Sequence, residues 1–143
     1  MSSAVFERER LIRFSDCDPA GIVFYPQYFV MLNGLIEDWV NEGLGITYHT
    51  LVMKRSVGLP TVRLEVDFRA VSRLGDRVRL SLQVERLGEK SLTLALQCRA
   101  LGGESRLSAR QVIVTTSLDT HQSIPIPPDV RSAIERRTAT IAP

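Results

Sequence analysis

The chain has 143 residues, 44% of them hydrophobic and 24% charged, which fits one domain around one core. A net charge of +2 excludes the dense basic face of a dedicated nucleic-acid binder, yet leaves basic groups to meet the phosphates of a small ligand. Cys17 and Cys98 form neither a disulfide framework nor a zinc pattern, Met1 to Arg10 lacks a signal-peptide core, and no apolar run approaches the ~20 residues that span a bilayer. These features point to a soluble cytoplasmic protein with two free thiols.

In chain order, Phe6 to Phe14 reads as a weak strand. Phe14 to Tyr28, FSDCDPAGIVFYPQY, reads as a strand end, a turn and a helix start, with Asp16, Asp18, Pro19 and Gly21 as turn formers. Pro26 suits a first helical turn, and Tyr28, Leu32, Leu35, Ile36 and Trp39 recur at helical spacing. Gly43 and Gly45 are stop signals, so the spacing predicts a helix from Pro26 to Glu42. Val30, Met31 and Val40 widen its apolar face beyond one stripe and predict burial on more than one side.

From Thr61 the period becomes two. Val62, Leu64, Val66, Phe68 and Ala70 alternate with polar residues, and Leu74-Gly75-Asp76 turns the chain. Val78, Leu80, Leu82 and Val84 form the next alternation, then Gly88-Glu89, then Leu92, Leu94, Leu96, Cys98 and Ala100, then Gly102-Gly103. Leu107 to Leu118 is β-rich but less regular. Ile124-Pro125-Ile126-Pro127-Pro128 ends the ladder, because proline has no backbone donor. Asp129 to Arg137 reads as a short surface helix and the last six residues as frayed. The fold class is α+β: an antiparallel sheet curling around one long helix. One helix covers only part of such a sheet, so self-association is expected.

The segment able to carry chemistry is Asp16 to Tyr28. Both acids can be mere turn formers. Here, however, a carboxylate lies beside an apolar stretch and close to a helix N-terminus, whose free N–H groups polarise a carbonyl oxygen. An ionised aspartate there can attack a carbonyl or activate water. Asp16 reads as the structural acid, capping the turn or helix start. There is no GxSxG elbow, no Walker or Rossmann glycine pattern and no metal-ligand spacing around His49 or His121. Cys17, flanked by two acids, is a blunted nucleophile.

Asp16-Cys17-Asp18-Pro19-Ala20-Gly21-Ile22-Val23, with Tyr25-Pro26 and Tyr28, resembles the start of 4-hydroxybenzoyl-CoA thioesterases, a family that includes the acyl-CoA thioesterases linked to the Tol–Pal system. The likeness runs through a Val57-Gly58-Leu59-Pro60 turn and the later strands, over about residues 8 to 130. It implies a single hot-dog domain, 1–143, with a five-stranded antiparallel sheet around the helix and a tail from 131. It further implies homodimers or homotetramers, an active site between subunits, and hydrolysis of an acyl-CoA thioester without metal or organic cofactor. Asp18 is then nucleophile or general base, and the Tyr25 backbone N–H holds the carbonyl oxygen. Val57, Gly58 and Leu59 line the acyl pocket from a neighbouring subunit, a glycine there also letting the acyl chain approach the backbone. Asn33 stands where an acid would meet a ring hydroxyl, and Lys90 and Arg86 meet the CoA phosphates. An aromatic acyl group is the leading substrate. Short aliphatic acyl-CoA or acyl-carrier-protein thioesters are the alternative. A non-catalytic acyl-CoA-binding module is the alternative of another class. A hot-dog dehydratase is disfavoured, since Asp16 to Leu35 contains no histidine.

Overall fold

The period-two apolar positions become the inner face of one sheet. The computed structural model describes residues 4–139, which form strand β1 (Phe6–Leu11), helix α1 (Tyr25–Asp38), strands β2 (Val57–Gly58), β3 (Thr61–Phe68), β4 (Arg77–Leu87), β5 (Ser91–Ala100), β6 (Ser105–Val114) and β7 (Thr116–Ser117), and helix α2 (Pro128–Ala139). Of the residues read as frayed, 140–143 lie outside this range. Five strands form an antiparallel sheet in the order β1-β4-β5-β6-β3, and β2 pairs with β7 apart from it. The register sets Phe6 opposite Leu82 and Leu82 opposite Leu96, so like faces meet across strands.

That inner face carries Val78, Leu80, Leu82 and Val84 of β4, Leu92, Leu94, Leu96 and Cys98 of β5, and Leu107, Ala109 and Ile113 of β6, all buried. They share one core with Tyr28, Met31, Leu32, Leu35 and Ile36 of α1. Each large side chain removed from water contributes about 1.5–3 kcal/mol. Trp39–Gly43 continues α1 as a π-helical turn that buries Trp39 and Val40, so the helical path ends within a residue of the expected Glu42. Of the three residues outside the main stripe, Met31 and Val40 are buried but Val30 is 63% exposed.

Two expectations change. The alternation of β3 does not bury it: Val62, Leu64 and Phe68 are exposed, because β3 is an edge strand paired only with β6. Nor is the C-terminal helix a surface appendage. Val130, Ala133 and Ile134 of α2 are buried in the core, and Arg55 holds its start through a two-pronged ion pair with Asp129 at 2.7 and 2.8 Å. Among the described residues no helix is long and apolar enough to cross a membrane.

Candidate active site

The site is built on a small hairpin between β1 and α1. Asp16 closes a 3-10 turn, Phe14–Asp16, and is buried. Its Oδ2 accepts the Arg13 backbone N–H at 2.8 Å and its Oδ1 accepts Arg10 Nη2 at 2.9 Å, so both oxygens are used inside the chain. Asp16 is a structural acid. Beyond it, Gly21 N–H donates to the Asp18 carbonyl at 2.9 Å and Asp18 N–H to the Ile22 carbonyl at 3.0 Å. This is a β-turn with Asp, Pro and Gly at its first, second and fourth positions, as such turns prefer. Gly21 has φ +76°, a conformation strained for any residue with a side chain. Asp18 Oδ1 accepts the Ala20 N–H at 2.9 Å, and Oδ2 has no partner among the described residues.

The return strand leads straight into the helix. Cys17 bridges Val23, and Phe24 N–H donates to the Asp16 carbonyl at 2.9 Å. Tyr25 opens α1 with Pro26 behind it. An N–H at that position has no acceptor within its own helix, so the Asp18 turn and a helical donor unclaimed among the described residues hang on one hairpin. Between the acids, the Cys17 thiol is held above its ordinary pKa by desolvation and then by the charges of Asp16 and Asp18.

A strap, residues 71–76, backs the hairpin. Val23 N–H donates to the Ser72 carbonyl and Leu74 N–H to the Gly21 carbonyl, both at 2.9 Å. Ser72 is buried, and its hydroxyl accepts the Tyr28 phenol at 2.9 Å. Burial raises the Tyr28 pKa, partly offset by this bond. Asp76 is held below its ordinary pKa, first by the Arg73 backbone N–H and then by Arg106. Sequence reading missed Ser72 and Arg106 and saw Asp76 only as a turn residue. Their partnership spans 30 or more positions, and no local spacing records it.

Along α1 and the exposed face of β3 runs a groove. Tyr25, Phe29 and Phe68 meet edge to face, at 6.1 Å for Tyr25–Phe68 and 6.4 Å for Phe29–Phe68, and Phe24 adds a fourth ring at 5.6 Å from Tyr25. Tyr25 is 59% and Phe68 53% exposed. Asn33 lines the next part of the groove with Phe29, Val30, Leu64 and Gln111. Asp18 thus lies in the turn before α1, Tyr25 opens the helix, and Asn33 stands eight residues further along it.

The other expected residues stand elsewhere. Leu59 and Lys90 line an apolar cavity with Trp39, Val40 and Leu44, past the C-terminal end of α1, a helix about 20 Å long at 1.5 Å per residue. Arg86 is exposed where the β4–β5 register shifts. Val57 and Gly58 are buried in the β2–β7 pair. The space a Cβ would need at Gly58 is taken by Leu118, whose Cδ2 would lie 2.6 Å away, so this glycine admits a neighbouring side chain of its own subunit. Among the described residues no group of three His, Cys, Asp or Glu side chains converges as a metal site.

The sequence profile of the thioesterase-like superfamily matches residues 12–134, from the end of β1 into α2. The chain belongs to the thioesterase-like superfamily. Its fold is the hot dog of that superfamily. A 1,4-dihydroxy-2-naphthoyl-CoA hydrolase of Synechococcus elongatus is 35% identical over 86 residues, 59% of this thioesterase-like chain and 62% of that protein. The match thus spans somewhat under two thirds of that relative. The 4-hydroxybenzoyl-CoA thioesterase of a Pseudomonas species is 29% identical over 92 residues, 64% of each chain. The crystal structure of a 1,4-dihydroxy-2-naphthoyl-CoA thioesterase from Synechocystis superposes with a TM-score of 0.83 at 22% identity, over 92% of this chain and 96% of that one, and shows the shared fold.

Proposed function

We propose that the chain hydrolyses an acyl-CoA thioester to the free acid and CoA, with an aryl acyl group preferred. The observation that carries this is the hairpin that joins the Asp18 carboxylate, one oxygen open, to the first N–H of α1. The Tyr25 N–H holds the thioester oxygen as negative charge develops on it. Asp18 acts in one of two ways. As base it takes a proton from water while the oxygen of that water bonds to the carbonyl carbon. As nucleophile it forms an anhydride that water then cleaves. In both, the C–S bond breaks and CoA leaves as thiolate, a leaving group that needs no strong acid. The substrate supplies the coenzyme A, and no metal or organic cofactor takes part.

The aryl preference is supported by the rings of Phe24, Tyr25, Phe29 and Phe68 along the groove and by Asn33 further on, an amide able to hydrogen-bond a ring hydroxyl. The names of the Synechococcus and Pseudomonas relatives both specify hydroxylated aryl-CoA substrates.

A second copy of the chain completes the site, as homodimer or homotetramer. Two observations support this: the apolar groove beside an unpaired β3 edge, and the placing of Leu59 and Lys90 at the opposite end of α1 from Asp18. Antiparallel pairing of two copies brings one end of α1 against the other end of its partner, where Lys90, and Arg86 beside it, meet the CoA phosphates.

The test is release of CoA thiol from benzoyl-, hydroxybenzoyl-, acetyl-, butyryl- and palmitoyl-CoA. Hydroxylated aryl thioesters are expected to give the highest kcat/KM. Turnover confined to aliphatic chains discards the aryl preference. Binding without turnover of any thioester overturns the enzyme assignment.

A further inference from the structure

The Arg106 guanidinium is 13% exposed, and the Val71 and Ser72 that it holds line a surface pocket with Tyr25 and Phe68. Its Nη1 donates to the Val71 carbonyl at 2.9 Å, to Asp76 Oδ2 at 2.9 Å and to the Ser72 hydroxyl at 3.2 Å. Nη1 carries two hydrogens, so the longest of these contacts shares one. A single nitrogen thereby ties both ends of the 71–76 strap. Arg106 Nε is occupied by Glu104 at 2.8 Å, which fixes the plane of the fork, and its carbonyl accepts the N–H groups of Arg69 and Ala70 as the chain enters the strap.

From this clamp two short routes reach the candidate site. The Ser72 carbonyl accepts the N–H of Val23, two residues before Tyr25, and the strap N–H of Leu74 reaches Gly21 in the Asp18 turn. The Ser72 hydroxyl accepts the phenol of Tyr28, one turn into α1 from Tyr25. Residues on both sides of the Tyr25 N–H are thus referred to Ser72, which Arg106 holds. The outer side of the hairpin has no such backing: Pro19 and Ala20 are exposed.

We propose that Arg106 is a positioning residue for thioester hydrolysis, acting through Ser72 to keep the Asp18 turn and the Tyr25 N–H in mutual register. This rests on the thioesterase reading above. In this role Arg106 acts through Ser72 and not on the substrate. A displacement of about 1 Å in such a site costs up to roughly 100-fold in rate, so loss of the clamp falls on kcat and leaves substrate affinity nearly intact. Lysine keeps the charge but presents a point donor where a planar fork bridges separate acceptors.

The experiment compares Arg106→Gln, Arg106→Lys and Ser72→Ala with wild type, with Arg110→Gln as control, since Arg110 pairs with Glu85 on the outer sheet face. Steady-state kinetics are read with amide hydrogen exchange. The expected result is a fall in kcat of roughly 10- to 100-fold in Arg106→Gln, a smaller fall in Arg106→Lys and Ser72→Ala, and KM within about twofold of wild type. Exchange at Val23 and Leu74 should quicken while that of the β4–β5 core stays slow, and Arg110→Gln should match wild type. Unchanged kcat in folded Arg106→Gln overturns the proposal. So does a loss in which the whole sheet exchanges faster, for that is general destabilisation. If Arg106→Gln does not fold, Ser72→Ala decides by the same criteria. If the wild-type chain turns over no thioester, the thioesterase reading has failed by itself, and exchange at Val23 and Leu74 still decides whether Arg106 holds the hairpin.

Discussion

Asp16 and Asp18 are two residues apart and are bonded differently. Asp16 spends both oxygens on its own chain, on Arg10 and on the Arg13 N–H, and is buried. Removing it leaves a backbone donor without its acceptor, which costs about 1–3 kcal/mol. Asp16→Ala is therefore expected to lose stability of that order in urea unfolding, whereas Asp18→Asn, on a half-buried turn, should unfold at nearly the wild-type midpoint. Equal losses in the two variants would contradict the division of labour. At this scale the sequence was readable where the chemistry is local: Asp18-Pro19-Ala20-Gly21 carries the residue types its turn requires. The Ser72–Arg106–Asp76 cluster was not readable, because residues far apart in sequence meet only once β6 lies beside β3 and the strap.

The long elements were legible in type and order, less so in exposure, whereas Val57-Gly58, read as part of a turn, is a short strand and the helical turn Thr50–Lys54 left no readable signal. Alternation in β3 has the same form as in β4, and only sheet order tells an edge strand from a central one. The Asp129–Arg137 segment looked like a surface helix because Arg131, Glu135, Arg136 and Arg137 dominate its composition, yet Val130, Ala133 and Ile134 make a continuous buried stripe. Ile134→Ala is accordingly expected to cost about 2–5 kcal/mol; a loss below about 0.5 kcal/mol in urea unfolding would return α2 to the surface. The ion pairs that fasten α2 and the strap also predict acid behaviour. Asp129, through Arg55, and Asp76, through the Arg73 N–H and Arg106, have folded pKa values below the ordinary 3.8. A depressed carboxyl contributes stability that is complete above its unfolded pKa and lost as pH falls through the folded one. Stability should thus decline as pH drops below 3.8, and Arg55→Gln should flatten that decline. An acid limb unchanged in Arg55→Gln would contradict the role given to the pair.

At the scale of the molecule, one chain presents an incomplete surface. Leu64, Val62 and Phe68 lie exposed on an edge strand next to Val30 and Tyr25 of α1, the kind of edge and patch that a folded chain covers with a partner. Leu64→Arg is expected to shift the chain towards monomer in sedimentation equilibrium and to lower turnover with it. A wild-type chain that is monomeric yet active would contradict the shared site. Family and fold were legible from the DCDPAGIV run and the strand pattern. The separation of the Leu59–Lys90 cavity from the Asn33 groove was not legible, because it follows from how the chain packs at the two ends of α1.

The central claim, that Asp18 performs the chemistry, meets its most direct test in Asp18→Asn. Turnover of a hydroxylated aryl-CoA is measured beside calorimetric binding of the same thioester. The expected result is a fall in kcat of roughly 10²- to 10⁴-fold with Kd within about threefold of wild type, since the amide keeps the size and turn geometry of the carboxyl. Turnover at the wild-type rate in the folded variant would show that Asp18 only shapes its turn, and the claim would fall.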